Sequence, residues 1–249
     1  MDTDLPKLTR PPRLAYNPSH NSSGPKGLRL PALAALCNRA PPSLPIPACA
    51  MLVKIAMLGD SQVGKTALMS KYVEGTFDDD YLQTLGVNFM DKTIDMQGQD
   101  VTFSIWDIGG HRDFASMLPM VCNDAAVILF VFDLSRRSTL DSVRTWYTQA
   151  RSHNKNAIPI LVGTKYDLLV TAPAEEQEEM THRARQYAHA MRAPLIFCSP
   201  CYSVNVINTF KVILVVLFEL GRTVREIRDV GRPIIEYSYV HGDGAHRPS

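Results

Sequence analysis

From residue 51 onward the chain predicts an α/β fold, a mostly parallel sheet of six strands flanked by helices. Three observations predict it. Short apolar runs alternate with longer stretches of helical period. The first run, 51–58, ends in a glycine loop that turns directly into a helical pattern. The apolar run 125–132 is continuous, as suits a strand buried in a sheet.

The elements follow in order. Strand 51–58 leads through Gly59-Asp60-Ser61-Gln62-Val63-Gly64-Lys65-Thr66 into a helix over 65–75, with Ala67, Leu68, Lys71 and Tyr72 carrying the pattern. Strands at 86–96 and 101–106 flank Gln97-Gly98-Gln99-Asp100, the composition of a hairpin turn. Strand 125–132, helix 138–152 and strand 158–163 come next. Helix 174–191 opens after Pro173, with Glu175, Glu176, Glu178 and Glu179 early and Arg183, Arg185 and Arg192 late, an order that suits the helix dipole. Met180, Ala184, Tyr187, Ala188 and Met191 form its buried stripe. Strand 194–198 and helix 204–221 complete the domain, taken as 51–221. Beyond it, 222–249 loses periodicity and reads as a tail. Ten of the 17 prolines fall in 1–50, which has little to bury and reads as a disordered extension, or as an over-extended gene model beginning before Met51.

Composition excludes several function classes. A chain of 249 residues with 45% hydrophobic content supports a real core. A net charge of +1 gives no electrostatic reason to expect a nucleic-acid or acidic-membrane partner. Five cysteines, odd in number and scattered, suit a reducing compartment. Cys198-Ser199-Pro200-Cys201 is formally C-x-x-C, but no second pair or histidine cluster accompanies it, so loop cysteines are the better reading than zinc or redox chemistry. No apolar run approaches the roughly 20 residues of a membrane span. The last cysteine is Cys201, so no prenyl anchor is expected.

The glycine loop carries the chemistry. GxxxxGK[ST] between a strand and a helix aims backbone N–H groups and a helix N-terminus at one point, which binds a polyphosphate. Lys65 would reach the β- and γ-phosphates, and the Thr66 hydroxyl would ligand Mg²⁺. Three downstream tetrapeptides narrow the nucleotide. Asp107-Ile108-Gly109-Gly110 closes the third strand, where Asp107 can hold a Mg²⁺-bound water and the Gly110 N–H can meet a γ-phosphate. Thr84, in a polar loop, could complete the metal shell. Thr164-Lys165-Tyr166-Asp167 follows strand 158–163, and the Asp167 carboxylate can accept from N1–H and N2–H₂ of guanine, an edge that adenine lacks.

Together these residues resemble the Ras superfamily of small GTPases across 51–221, and more narrowly the fungal septum-promoting GTPases of the septation-initiation and mitotic-exit pathway. The resemblance extends past the shared motifs into GDSQVGKTALMSKYVEGTFDDDYLQTLGVNFM (59–90), MLPMVCNDAAVILFVFDLSRRSTL (117–140), IPILVGTKYD (158–167) and EEQEE (175–179). It implies a P-loop GTPase domain binding GTP or GDP with Mg²⁺. Gly59 through Ala67 would cradle the phosphates, Thr66 and Thr84 would be metal ligands, and Asp107 would act through water. Phe77 would pack on the guanine, Tyr81 would cover the phosphates, and Lys165, Asp167 and Ser199 would line the base site. Lys65, Thr84 and His111 would be the catalytic set. It also implies an effector protein kinase, a two-component GTPase-activating complex and a spindle-pole scaffold, for a cytoplasmic monomer recruited to the spindle pole body.

Two positions depart from that pattern. His111 stands where glutamine usually orients the attacking water. An imidazole has one donor and one acceptor on opposite sides of a rigid ring, so unaided hydrolysis is expected below the roughly 10⁻⁴ per second of Ras-type turnover. Pro200, in Ser199-Pro200-Cys201, stands where a backbone N–H usually meets guanine O6, and proline has none. With Thr164 in place of asparagine, it predicts a looser base pocket and faster exchange. The competing readings are a hydrolysis-impaired pseudo-GTPase, a Rab-like traffic GTPase, and a P-loop enzyme phosphorylating a small acceptor.

Overall fold

The computed structural model describes residues 51–78, 83–96, 98–110, 112–220 and 223–238. The expectations for 1–50, Tyr81, Gln97, His111 and 239–249 lie outside the described residues.

Seven strands form one sheet: β1 (Met51–Leu58), β2 (Val87–Met96), β3 (Gln99–Ile108), β4 (Val127–Asp133), β5 (Ile158–Thr164), β6 (Leu195–Phe197) and β7 (Ile235–Glu236). Their order is β2-β3-β1-β4-β5-β6-β7. The five inner strands run parallel, while β2 pairs antiparallel with β3 and β7 pairs antiparallel with β6. The expected α/β architecture therefore holds, with one strand more than the six expected. Every residue of β4 is buried, because neighbours flank it and helices cover both faces. Val127, Leu129 and Val131 point into one core layer, and Ile128, Phe130 and Phe132 into the other.

Helices α1 (Lys65–Val73) and α6 (Val206–Phe218) cover the first layer through Leu68, Met69, Tyr72, Phe210 and Ile213. Helices α3 (Arg137–His153) and α5 (Ala174–Met191) cover the second through Leu140, Val143, Met180, Ala184 and Ala188. Two helices too short to show a period complete the second layer, α2 (Leu118–Cys122) and α4 (Tyr166–Leu169). The β2–β3 hairpin pairs Met96 with Gln99, a tighter turn than 97–100, and the Gly98 N–H donates to Asp95 Oδ1 at 2.8 Å. On β3, Trp106 stacks on Phe89 with ring centroids 5.5 Å apart. Lys54 Nζ lies 4.4 Å from the centre of the Trp106 ring and donates to the Met120 and Asn123 carbonyls at 2.7 and 2.8 Å, capping α2.

The segment expected to be a tail is partly built into the fold. Within 223–238, Ile227 and Ile235 exchange two main-chain hydrogen bonds of 2.9 Å, making a hairpin whose second arm is β7. Ile234, Ile235 and Tyr237 are buried, and the Arg185 guanidinium grips Glu236 at 2.6 Å. A two-residue strand has too few positions to display an alternation, so periodicity could not reveal it.

Candidate functional site

Because β1, β3, β4, β5 and β6 are parallel, the loops leaving their carboxyl ends gather at one rim of the sheet, the usual ligand site of open α/β folds. The glycine loop crosses that rim almost in contact with β4. A Cβ on Gly59 would stand 2.1 Å from the Val131 carbonyl oxygen, so only glycine fits. Gly64 takes φ 90°, a left-handed turn that launches α1. Lys65 is 5% exposed and folds back over the loop, its ammonium donating to the Gly59 and Asp60 carbonyls at 2.9 and 2.8 Å. Burial lowers its pKa from the ordinary value, while Asp107 and Asp60 oppose the shift.

Beside it three oxygen-bearing side chains converge from three elements. The hydroxyls of Thr66 and Thr84 are 2.8 Å apart. Thr66 donates to Asp107 Oδ2, and Thr84 reaches the same oxygen at 3.5 Å. Asp107 is fully buried; burial raises its pKa, against the pull of Lys65 and the two hydroxyls. Its Oδ1 is buried without a hydrogen-bond partner among the described residues. An orphaned carboxylate oxygen beside two hydroxyls is a hard, oxygen-only donor set, and it fits Mg²⁺.

The other end of the cleft is built from the β5 and β6 loops. Lys165 takes φ 58° and pairs with buried Asp133 at 2.8 Å. Burial alone would raise the Asp133 pKa, but Lys165, Ser135 and Arg136 outweigh it and hold the carboxyl below the ordinary value. Asp167 Oδ1 accepts from Ser199 Oγ at 2.5 Å, joining the two loops. Thr164, fully buried, directs its hydroxyl to the Val63 carbonyl and, at 3.0 Å, to that of Phe132. It is therefore a strut beneath the phosphate loop.

These loops enclose a cleft of about 700 Å³. Ser61, Gln62, Gly64, Lys65, Thr66, Ala67, Phe77, Thr84, Gly110, Thr164, Lys165, Asp167, Ser199 and Pro200 all line it. Gly59, Asp60, Val63 and Asp107 are not on its wall but support it. A Cβ on Gly110 would lie 2.2 Å from the Ser61 nitrogen, so the second of the paired glycines packs directly on the phosphate loop.

Sequence reasoning missed several residues here. Cys201, an exposed free thiol, lines the cleft beside Pro200. From the β4–α3 side, Arg136 donates to the Ser61 carbonyl at 3.1 Å and to Asp133 at 2.8 Å. Trp146 Nε1 donates to Asp60 Oδ1 at 2.8 Å. Partners 75 and 86 residues away leave no local signal.

A glycine loop, a buried lysine and a Thr/Thr/Asp cluster at the carboxyl rim of a parallel sheet define a phosphate-loop nucleotide-binding domain. Comparison with known proteins narrows the class. A model of the Ras family matches residues 54–218. Septum-promoting GTP-binding protein 1 of Schizosaccharomyces pombe is 58% identical over 185 residues, covering 74% of this chain and 93% of the relative. Ras-related protein Rab-22A of Homo sapiens is 30% identical over 159 residues, covering 64% and 79%. GTP-binding protein ypt2 of S. pombe is 28% identical over 177 residues, covering 70% and 82%. The chain belongs to the Ras family, and it is a small GTPase, a guanine-nucleotide switch that hydrolyses GTP.

Proposed function

We propose that this GTPase, when loaded with GTP, recruits an effector protein kinase and thereby triggers septation and mitotic exit. The observation that carries the reading is the contrast in likeness: 58% identity over 93% of a septum-promoting GTP-binding protein, against 30% identity to Rab-22A. A Rab-like traffic role has the weaker support. The partners that follow are a two-component GTPase-activating complex and a spindle-pole scaffold, for a cytoplasmic protein drawn to the spindle pole body.

Within the cleft, Gly59 through Ala67 would cradle the phosphates, with Lys65 offering its charge to the β- and γ-phosphates. Thr66 and Thr84, with Asp107 acting through water, would hold Mg²⁺, which when bound neutralises phosphate charge. Phe77 would pack on the purine. Asp167, oriented by Ser199, would read the two guanine donors and reject adenine. Lys165, locked on Asp133, would brace that loop. His111 would serve poorly in orienting water, so the chain relies on an activating protein for turnover.

Two experiments test this. In S. pombe depleted of its septum-promoting protein, expression of this chain should restore septa; cells that remain multinucleate and unseptated would sink the septation role. Single-turnover GTP hydrolysis should be faster in His111→Gln than in the native chain without an activating protein, and equal rates would refute the part given to His111.

A further inference from the structure

The hairpin of 223–238 reaches the two loops proposed to read the purine. Tyr166 sits between Lys165 and Asp167, yet it does not line the cleft. It is buried, and its hydroxyl donates to the Gly231 carbonyl at 2.7 Å. Its N–H donates to the Cys198 carbonyl at 3.1 Å, tying the Asp167 loop to the foot of the Ser199 turn. That turn closes on itself, Ser199 and Val204 exchanging main-chain hydrogen bonds of 3.0 and 2.9 Å. The next residue, Asn205, takes φ 54° and bridges outward, its Nδ2 donating to the Phe197 and Pro233 carbonyls at 2.9 and 3.1 Å. Phe197 N–H donates to the Ile234 carbonyl at 2.9 Å. Three carbonyls of the hairpin, that of Gly231 in its turn and those of Pro233 and Ile234 leading into its second arm, thus accept from residues adjoining the two base loops.

The hairpin can bear that load. Arg185 holds it through Glu236 and through the Arg228 carbonyl at 2.5 Å. Glu226 accepts from the Tyr237 and Ser238 N–H groups at 2.7 and 2.8 Å, clasping the two arms together. A carboxylate reads two donors on one base edge only if its support is fixed to a fraction of an ångström.

We propose that this carboxyl-terminal hairpin is a positioning element for guanine recognition, with Tyr166 and Asn205 as the residues through which it sets the Asp167 and Ser199 loops. The proposal rests on the guanine-binding reading above and adds a control point for nucleotide release on the far side of the base loops from the phosphates.

The test is dissociation of mant-GDP and mant-IDP from the full chain at saturating Mg²⁺, in native, Tyr166→Phe and Asn205→Gly forms. Inosine lacks the 2-amino group that Asp167 would hold. Glycine tolerates the left-handed backbone at 205, so the second variant removes the amide bridge, together with the 3.1 Å bond that Asn208 Nδ2 donates to Asn205 Oδ1, without straining the turn. Tyr166→Phe, which loses one hydrogen bond, should speed GDP release about five-fold, and Asn205→Gly, which loses the bonds to both Phe197 and Pro233, should speed it at least as much. IDP release should change less, so the GDP-to-IDP preference narrows. Unchanged GDP release, or an equal acceleration of both nucleotides alongside a lower melting temperature, would overturn the positioning role. A native chain that fails to retain GDP would instead overturn the guanine-binding reading, and the hairpin proposal with it.

Discussion

The Thr164 hydroxyl is the one side-chain contact between β5 and the phosphate loop described above, and its bonds to Val63 and Phe132 are fully enclosed. Thr164→Val keeps the shape but leaves a buried carbonyl unpaired, which costs about 1–3 kcal/mol. The melting temperature should fall by several degrees, with GDP affinity falling too; scanning calorimetry and a nucleotide titration check both. A melting curve superimposable on the native one would mean the strut carries no load. At this scale the sequence was informative about which residues matter and poor about how. Motif spacing singled out Thr164 as a base-pocket residue, but the direction of a hydroxyl depends on neighbours 32 and 101 residues away. The same limit hid Arg136 and Trp146, whose side chains hold the phosphate loop from α3 and its approach.

Elements long enough to show a period were legible. The 174–191 helix was read to the residue, because Pro173 opens it and a stripe from Met180 to Met191 repeats along one face. Among the short elements β6 was expected, as strand 194–198, but α2, α4 and β7 were not: they are set by tertiary packing and carry no period of their own. The hairpin of 223–238 is a case where a charge decides stability. Burial would raise the Glu226 pKa, but the backbone N–H groups of Tyr237 and Ser238, with Arg228, hold it below the ordinary 4.5. A depressed carboxyl contributes stability above its unfolded pKa and loses it as pH falls through the folded one. The native melting temperature should therefore drop more steeply below pH 4.5 than that of Glu226→Gln, whose amide oxygen still accepts from both N–H groups. Parallel melting profiles would remove the carboxylate from the account.

For the molecule as a whole, ligand and fold are linked. The cleft is lined by a buried ammonium and backed by a buried carboxylate, one oxygen of which has no hydrogen-bond partner among the described residues, so bound phosphate and metal would add partners there and stabilise the fold. Nucleotide at 100 times its Kd adds about 2.7 kcal/mol to stability. For a domain of this size that is a rise of roughly 5–10 °C in melting temperature. GDP with Mg²⁺ should produce it, EDTA should remove much of it, and ADP should produce little; equal protection by ADP would contradict the role given to Asp167. The placement of the two tryptophans has its own consequence. One indole is hydrogen-bonded to the phosphate loop through Asp60, and the other is stacked on Phe89 under the Lys54 ammonium that caps α2. One native fluorophore thus sits on the phosphate loop and the other beside α2, so emission from the unlabelled chain should shift when GDP is added to the stripped protein.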